Sequence, residues 1–210
     1  MTLTRLLALG FSCLCLHAQV AGLKHFFVIG CDGMSPDGVR QAQTPNLDRM
    51  MREGAYTLRA RGVMPTSSSP NWASMIMGAG PEQHGVTSND WQPDKFDIEP
   101  FAKGSGGIFP TIFGEIRAQK PNAITAVFHD WGGYGRLFER EAVNMIEDSD
   151  GPTNATLHAL EYFRASQPLF TFIHLDHVDH VGHDIGHGTP EYYQSVTVAD
   201  GLIGKVLQAL

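Results

Sequence analysis

Residues 168–183 read Pro168-Leu169-Phe170-Thr171-Phe172-Ile173-His174-Leu175-Asp176-His177-Val178-Asp179-His180-Val181-Gly182-His183. The first eight residues form a short apolar run rich in aromatic and branched side chains, the pattern of a buried parallel strand. Carboxylates and imidazoles follow at once. The same order recurs near the start: His25 to Gly30 (HFFVIG) is apolar and ends in Cys31-Asp32-Gly33. Ala123 to His129 and Ala142 to Ile146 read as further strands, and Tyr56 to Ala60 as another. Helical patterns separate them. One starts at Thr44-Pro45 and stops at Gly54, and one starts at Pro70 or Asn71 and stops at Gly78. Others cover Pro110 to Lys120, Thr153 to Ala165 and Glu191 to Leu210. The last carries Tyr192, Val196, Ala199, Ile203 and Leu207 at helical spacing. Residues 80–107 are rich in Gly, Pro and polar side chains and read as a long loop. Strands alternating with helices predict an α/β sandwich with a mainly parallel sheet. Ligands of such sheets bind beyond the carboxyl ends of the strands.

A chain of 210 residues with 42% hydrophobic side chains suits one packed domain. The formal charge of −7 gives no electrostatic footprint for nucleic acid. It is compatible with a phosphate substrate, because bound metal ions reverse the local sign. Residues 1–21 read as a signal peptide, and 22–210 as the domain. Arg5 precedes an apolar run, Leu6 to Leu16, that is shorter than the ~20 residues a membrane span needs; Ala18 and Ala21 offer cleavage sites. The expected location is secreted or periplasmic, with no transmembrane segment. Cys13 and Cys15 leave with the leader, so Cys31 has no partner for a disulfide and reads as a small buried residue.

Three stretches carry chemistry. Asp32 stands at the end of the first strand, with Gly33 permitting close approach. Thr66-Ser67-Ser68-Ser69-Pro70-Asn71 sets hydroxyls before a helix, where free N–H groups favour an alkoxide and a phosphoryl group. A serine without a histidine partner can be activated by a metal; the stretch itself does not say which serine acts. Residues 176–187 hold four His and three Asp, donors that suit zinc. His183-Asp184-Ile185-Gly186-His187 mimics the paired-histidine motif of zinc proteases. Gly186 and Gly188 break the helix that motif needs, and Asp replaces its Glu.

Together these segments resemble the nucleotide pyrophosphatase/phosphodiesterase branch of the alkaline phosphatase superfamily, from Lys24 onward. Three ordered blocks carry the resemblance: VIGCDGM (28–34), MPTSSSPNWASMIMGAGPEQHGVTSND (64–90) and DHVGHDIGHG (179–188). It implies an alkaline-phosphatase-like three-layer sandwich and a small phosphoester substrate. It also implies two divalent metal ions, zinc by donor type. By this resemblance Asp32 is a metal ligand, and Ser68 is the nucleophile and a ligand of the same ion. Asn89 holds a nonbridging phosphoryl oxygen, and Asp179 and His183 bind the other ion. His84 and Asp200 read as scaffold, and His177, His180 and His187 have no assigned place.

Two departures stand out. The nucleophile position is Ser where this branch usually has Thr. A downstream Asp-His-Gly segment and a further metal histidine, which the family would supply, are not in the sequence. The chain is therefore expected to be the N-terminal part of a longer protein, its sheet incomplete at the C-terminus and the fragment alone inactive. The expected activity is metal-dependent phosphoester hydrolysis through a phospho-serine. The alternatives are a phosphotransferase or sulfatase-like member of the superfamily, and a non-catalytic secreted metal-binding domain. The Ser68-Ser69-Pro70-Asn71 sequence lacks the Arg and the spacing of a sulfatase motif.

Overall fold

The computed structural model describes Gly22 and residues 24–210. The expected leader, with Cys13 and Cys15, lies outside the described residues. Four strands form one sheet: β1 (Phe26–Cys31), β2 (Thr125–His129), β3 (Met145–Asp148) and β4 (Phe170–Leu175), in the order β1-β4-β2-β3. All neighbours are parallel, with Val28 opposite Phe172, Phe172 opposite Val127 and Val127 opposite Ile146. Every residue of the two central strands, β2 and β4, is buried, as their near-continuous apolar sequences require. β1 is an edge among the described residues, and Phe26 remains half exposed.

Helices cover both faces. The strand period of two sends Phe170 and Phe172 of β4 one way and Ile173 and Leu175 the other. On the first side, Trp72, Ala73, Ile76 and Met77 of α3 (Ser68–Met77) and Phe113 of α5 (Ile112–Gln119) pack on Val127, Phe170 and Phe172. On the second, Ala155, Ala159 and Leu160 of α6 (Gly151–Ser166) join Leu202 and Val206 of α8 (Pro190–Ala209). These pack on Ala126, Phe128, Ile173 and Leu175. Each large apolar side chain so buried contributes about 1.5–3 kcal/mol. The result is the expected three-layer α/β sandwich.

The remaining helices are short: α1 (Pro36–Gln41), α2 (Pro45–Glu53), α4 (Pro81–His84) and α7 (His177–Val181). Asp200, buried on α8, accepts from the backbone N–H groups of Asn46 and Leu47 at 3.2 and 2.8 Å and so caps α2. His84 is also scaffold. Its Nδ1 accepts from Val86 N at 3.0 Å, so the proton sits on Nε2 and is donated to Ser74 Oγ at 2.9 Å.

Three sequence expectations are corrected. Tyr56 to Ala60 is irregular: Thr57, Leu58 and Ala60 line a cleft with Ile29, Cys31 and Ile203, and among the described residues no strand pairs with them. β3 begins at Met145, because Asn144 is used to receive the Thr125 N–H on its side chain. α3 begins at Ser68, two or three residues earlier than the expected Pro70 or Asn71, with extended Ser67 as its cap residue.

Candidate metal and phosphoryl site

Three of the four strands are followed at once by an aspartate: Asp32 after β1, Asp130 after β2 and Asp176 after β4. Parallel pairing brings all three to one rim. Asp32 and Asp130 are largely buried, with side-chain exposures of 15% and 3%. Asp130 Oδ1 accepts the Asp176 backbone N–H at 2.7 Å. Asp32 Oδ1 accepts from Gly33 N and its Oδ2 from Trp72 Nε1, both at 2.9 Å.

His174 of β4 stands among these carboxylates. It is fully buried, with Nε2 3.9 Å from Asp32 Oδ2 and Nδ1 3.7 Å from Asp130 Oδ1. Neither ring nitrogen has a hydrogen-bond partner. Trp72, Tyr134 and Trp131 surround the ring with centroids at 4.7, 4.9 and 6.0 Å. One ligand atom from each of Asp32, His174 and Asp176 lies within 4.8 Å of the others, a grouping able to hold a metal ion.

Asp179 and His183 enter from the next turns of chain. α7 runs into a π-helical turn, Gly182–Gly186, and the four-residue spacing puts His183 Nε2 3.4 Å from Asp179 Oδ2. Gly33 brings this pair to Asp32. Its φ of +67° suits glycine, and a Cβ there would lie 2.7 Å from Asp179 N, so the two loops touch backbone to backbone. The electrostatic price is visible. Burial pushes the Asp176 carboxyl up to about 6, with Asp32, Asp130 and Asp179 adding to it against the opposing pull of His174. Burial and then Asp32 raise Asp179 in the same way. Four convergent carboxylates repel one another, and a cation relieves that repulsion. The neighbouring Cys31 thiol is pushed up to about 12 by burial, Asp130 and Asp32, which makes it inert.

Ser68 is the first residue of α3. Trp72 follows one turn later on the same helix face, and long helical side chains lean back over the preceding turn. The Trp72–Asp32 bond therefore draws the start of α3 toward the carboxylate rim. Asn89 reaches the same turn: its Oδ1 accepts the Ser69 N–H at 2.8 Å, and Arg136 Nη2 donates to its carbonyl at 2.8 Å. With Oδ1 so engaged, the amide Nδ2 is left to donate outward.

The other imidazoles go elsewhere. His177 Nε2 lies 3.0 Å from Ser195 O on α8, and exposed His180 pairs with Asp184 at 3.1 Å. His187 is extended rather than helical and meets Ser35 Oγ at 2.9 Å. His183 and His187 thus do not share a helix face, and the zinc-protease arrangement is not formed. Sequence reasoning missed His174, Asp130 and the grouping of Asp176 with Asp32. The available signal was the repeated placement of Asp directly after a buried strand.

Residues 26–133 match the type I phosphodiesterase/nucleotide pyrophosphatase family. The chain belongs to that family. Among curated family relatives, human ectonucleotide pyrophosphatase/phosphodiesterase family member 1 is 24% identical over 79% of this chain and 19% of its own length. An uncharacterized pyrophosphatase/phosphodiesterase of Schizosaccharomyces pombe is 26% identical over 87% of this chain and 40% of its own. Among solved structures, murine ectonucleotide pyrophosphatase/phosphodiesterase 5, as an inactive variant in complex with AMP, superposes with a TM-score of 0.71. It is 21% identical, covering 89% of this chain and 52% of that one. Phosphonoacetate hydrolase from Sinorhizobium meliloti gives 0.65 at 17% identity, over 89% and 54%. The chain thus spans from a fifth to two-fifths of these curated relatives, and about half of the solved ones. Within the family fold, the acidic rim occupies the place where open α/β sheets bind their ligands.

Proposed function

We propose that this chain forms the nucleophile-bearing part of an exported, metal-dependent phosphoester hydrolase that acts on small phosphodiesters or nucleotide pyrophosphates. The observation that carries the reading is the backbone contact between Gly33 and Asp179, which brings the Asp32 and Asp179–His183 segments together. Export agrees with the leader-like residues 1–21 and with relatives named as ectonucleotide and venom phosphodiesterases. Among the described residues no helix is long and apolar enough to cross a membrane.

Asp32 and Ser68 would hold one divalent ion, and Asp179 and His183 the other. The donor set, carboxylate with imidazole, suits zinc. When bound, the two ions supply positive charge that offsets the carboxylates, lowers the Ser68 hydroxyl pKa and stabilises the phosphoryl oxygens. Ser68 Oγ attacks phosphorus from the N-terminal turn of α3. The Ser68 proton passes to water, the Oγ–P bond forms as the bond to the leaving alkoxide breaks, and the alkoxide takes a proton from water. Asn89 Nδ2 donates to an equatorial oxygen, where charge builds in the transition state. Water then cleaves the Oγ–P bond and regenerates the serine.

Ser68→Ala in the gene product carrying this sequence tests the assignment. Hydrolysis of bis-p-nitrophenyl phosphate should fall roughly 10³-fold or more, and trapping of a phosphorylated protein should be lost. Turnover that persists in the variant would sink the assignment.

A further inference from the structure

We propose that Arg136 is a positioning residue for Asn89. Its guanidinium fastens the Asn89 carbonyl and so fixes where the Asn89 Nδ2 donor stands during phosphoryl transfer. The inference rests on the reading of Asn89 given above, and it adds a residue that reading does not contain.

The need for such a group follows from where Asn89 sits. α4 ends at His84 and α5 begins at Ile112. The segment between them is irregular apart from one short helical turn, Ser105–Gly107, and an isolated bridge between Gln92 and Lys95. Asn89 is exposed on this segment. A reacting-site donor misplaced by about 1 Å loses on the order of 10²-fold in rate, so a solvated loop needs restraints to carry one. Buried Trp91 anchors the loop in bulk, but apolar contact is non-directional. Direction comes from hydrogen bonds. Among the described residues, two of them join residues 88–91 to other elements. Asn89 Oδ1 accepts from Ser69 N at 2.8 Å, and Asn89 O accepts from Arg136 Nη2 at 2.8 Å. The first holds the side-chain amide, and the second holds the backbone that carries it. Together they leave the amide one orientation, with Nδ2 outward.

Arg136 is suited to the task by its own setting. It closes the short turn Tyr134–Arg136, in which Tyr134 is fully buried, and Leu137 and Phe138 beyond it are buried as well. The donor therefore stands on the packed core rather than on a second loop. Gly135 permits this, because a Cβ there would meet His129 Nε2 at 3.0 Å and push the turn off the end of β2. The Arg136 Nε is buried without a partner, and the Asn89 carbonyl is the one acceptor the guanidinium finds among the described residues. A permanently charged, planar donor makes a stronger and more directional bond than a neutral one. The Asn89 backbone is thus held to the end of β2, and its side chain to the start of α3.

The test is steady-state hydrolysis of bis-p-nitrophenyl phosphate by the gene product carrying this sequence, with stability read separately in urea melts. Arg136→Met keeps an unbranched stem and removes every donor. Its kcat should fall at least about tenfold while KM stays within about twofold, because the place of the amide matters most where charge builds. Arg136→Lys should recover part of the loss, since an ammonium still donates. In an Asn89→Ala background, Arg136→Met should lower kcat by less than about twofold further, because the group it positions is gone. An arginine that only stabilises the fold would lower kcat equally in both backgrounds. Wild-type kcat in Arg136→Met, or an equal loss with and without Asn89, overturns the proposal. If Arg136→Met does not fold, Arg136→Lys carries the same two-background comparison. Unchanged kcat in Asn89→Ala would sink the reading of Asn89 and this proposal with it. A loss in Asn89→Ala beside wild-type kcat in Arg136→Met would sink this proposal alone.

Discussion

The indole Nε1 of Trp72 donates a 2.9 Å hydrogen bond to Oδ2 of Asp32 and ties helix α3 to the end of β1. One bond thus orients a candidate metal carboxylate and draws the hydroxyl-bearing turn of α3 toward it. Trp72→Phe keeps an aromatic ring and removes the donor. It should cost about 1–3 kcal/mol in a urea melt, because the buried ring shrinks. It should also weaken zinc about tenfold in a calorimetric titration, because the carboxylate loses its orientation. Wild-type affinity in a folded variant would show that the bond serves packing alone.

Asn89 has two ends with separable tasks. Its Oδ1 caps the Ser69 N–H, and its Nδ2 is free to meet a phosphoryl oxygen. Asn89→Asp keeps the acceptor and loses the donor, so stability should hold while kcat falls on the order of 10²–10³-fold. Asn89→Ala should lose the same activity and about 1 kcal/mol of stability besides. Equal kcat in Asn89→Asp and wild type would assign Asn89 to the helix cap only.

Gly33 has a positive φ and no room for a side chain. Gly33→Ala would press a methyl group against the Asp179 backbone, where nothing flexible can yield. A stability loss of about 2 kcal/mol or more is expected by chemical denaturation, together with weaker zinc binding as Asp32 and Asp179 are forced apart. A neutral variant would mean that the two loops are not held in contact.

His84 predicts an acid-side loss of stability. Burial lowers its pKa to about 4, from an ordinary value near 6.5. Between those values the unfolded chain takes up a proton that the folded chain refuses. Folding stability should therefore fall as pH drops from about 6.5 to about 4, by up to about 3 kcal/mol, and this component should level off below. Denaturation midpoints for wild type and His84→Gln across that range give the comparison. The variant should lack this component, and parallel pH profiles would refute it.

The strands β1 and β4, the helices α5, α6 and α8, and the carboxylate at Asp32 were legible because each depends on local pattern: apolar period, a capping residue, an Asp at a strand end. Asp179 and His183 were named together only through the family resemblance, and the fold sets their side chains 3.4 Å apart. His174 was hidden by its own setting. Inside the run Phe170 to Leu175 it reads as one more core residue, and only the register against Gly30 and His129 shows which carboxylates it faces. Asp130 was hidden because its importance lies in Asp176, 46 residues away. Tyr56 to Ala60 had the composition of a strand, but a strand also needs a neighbour, and that is a property of the whole sheet. The start of α3 at Ser68 escaped because Pro70 looked like a first helical residue and is the third.

The strand order has a consequence for biosynthesis. β1 leaves the ribosome first, yet its one sheet neighbour among the described residues is β4, with Phe26 paired to Phe170. Closing so long a loop is entropically slow and cannot begin until the later segment exists. The nascent chain must therefore carry Asp32 unplaced through most of its synthesis. A polypeptide that lacks β4 lacks the neighbour that places Asp32 beside Asp176, so the acidic rim is among the last features of the fold to be completed.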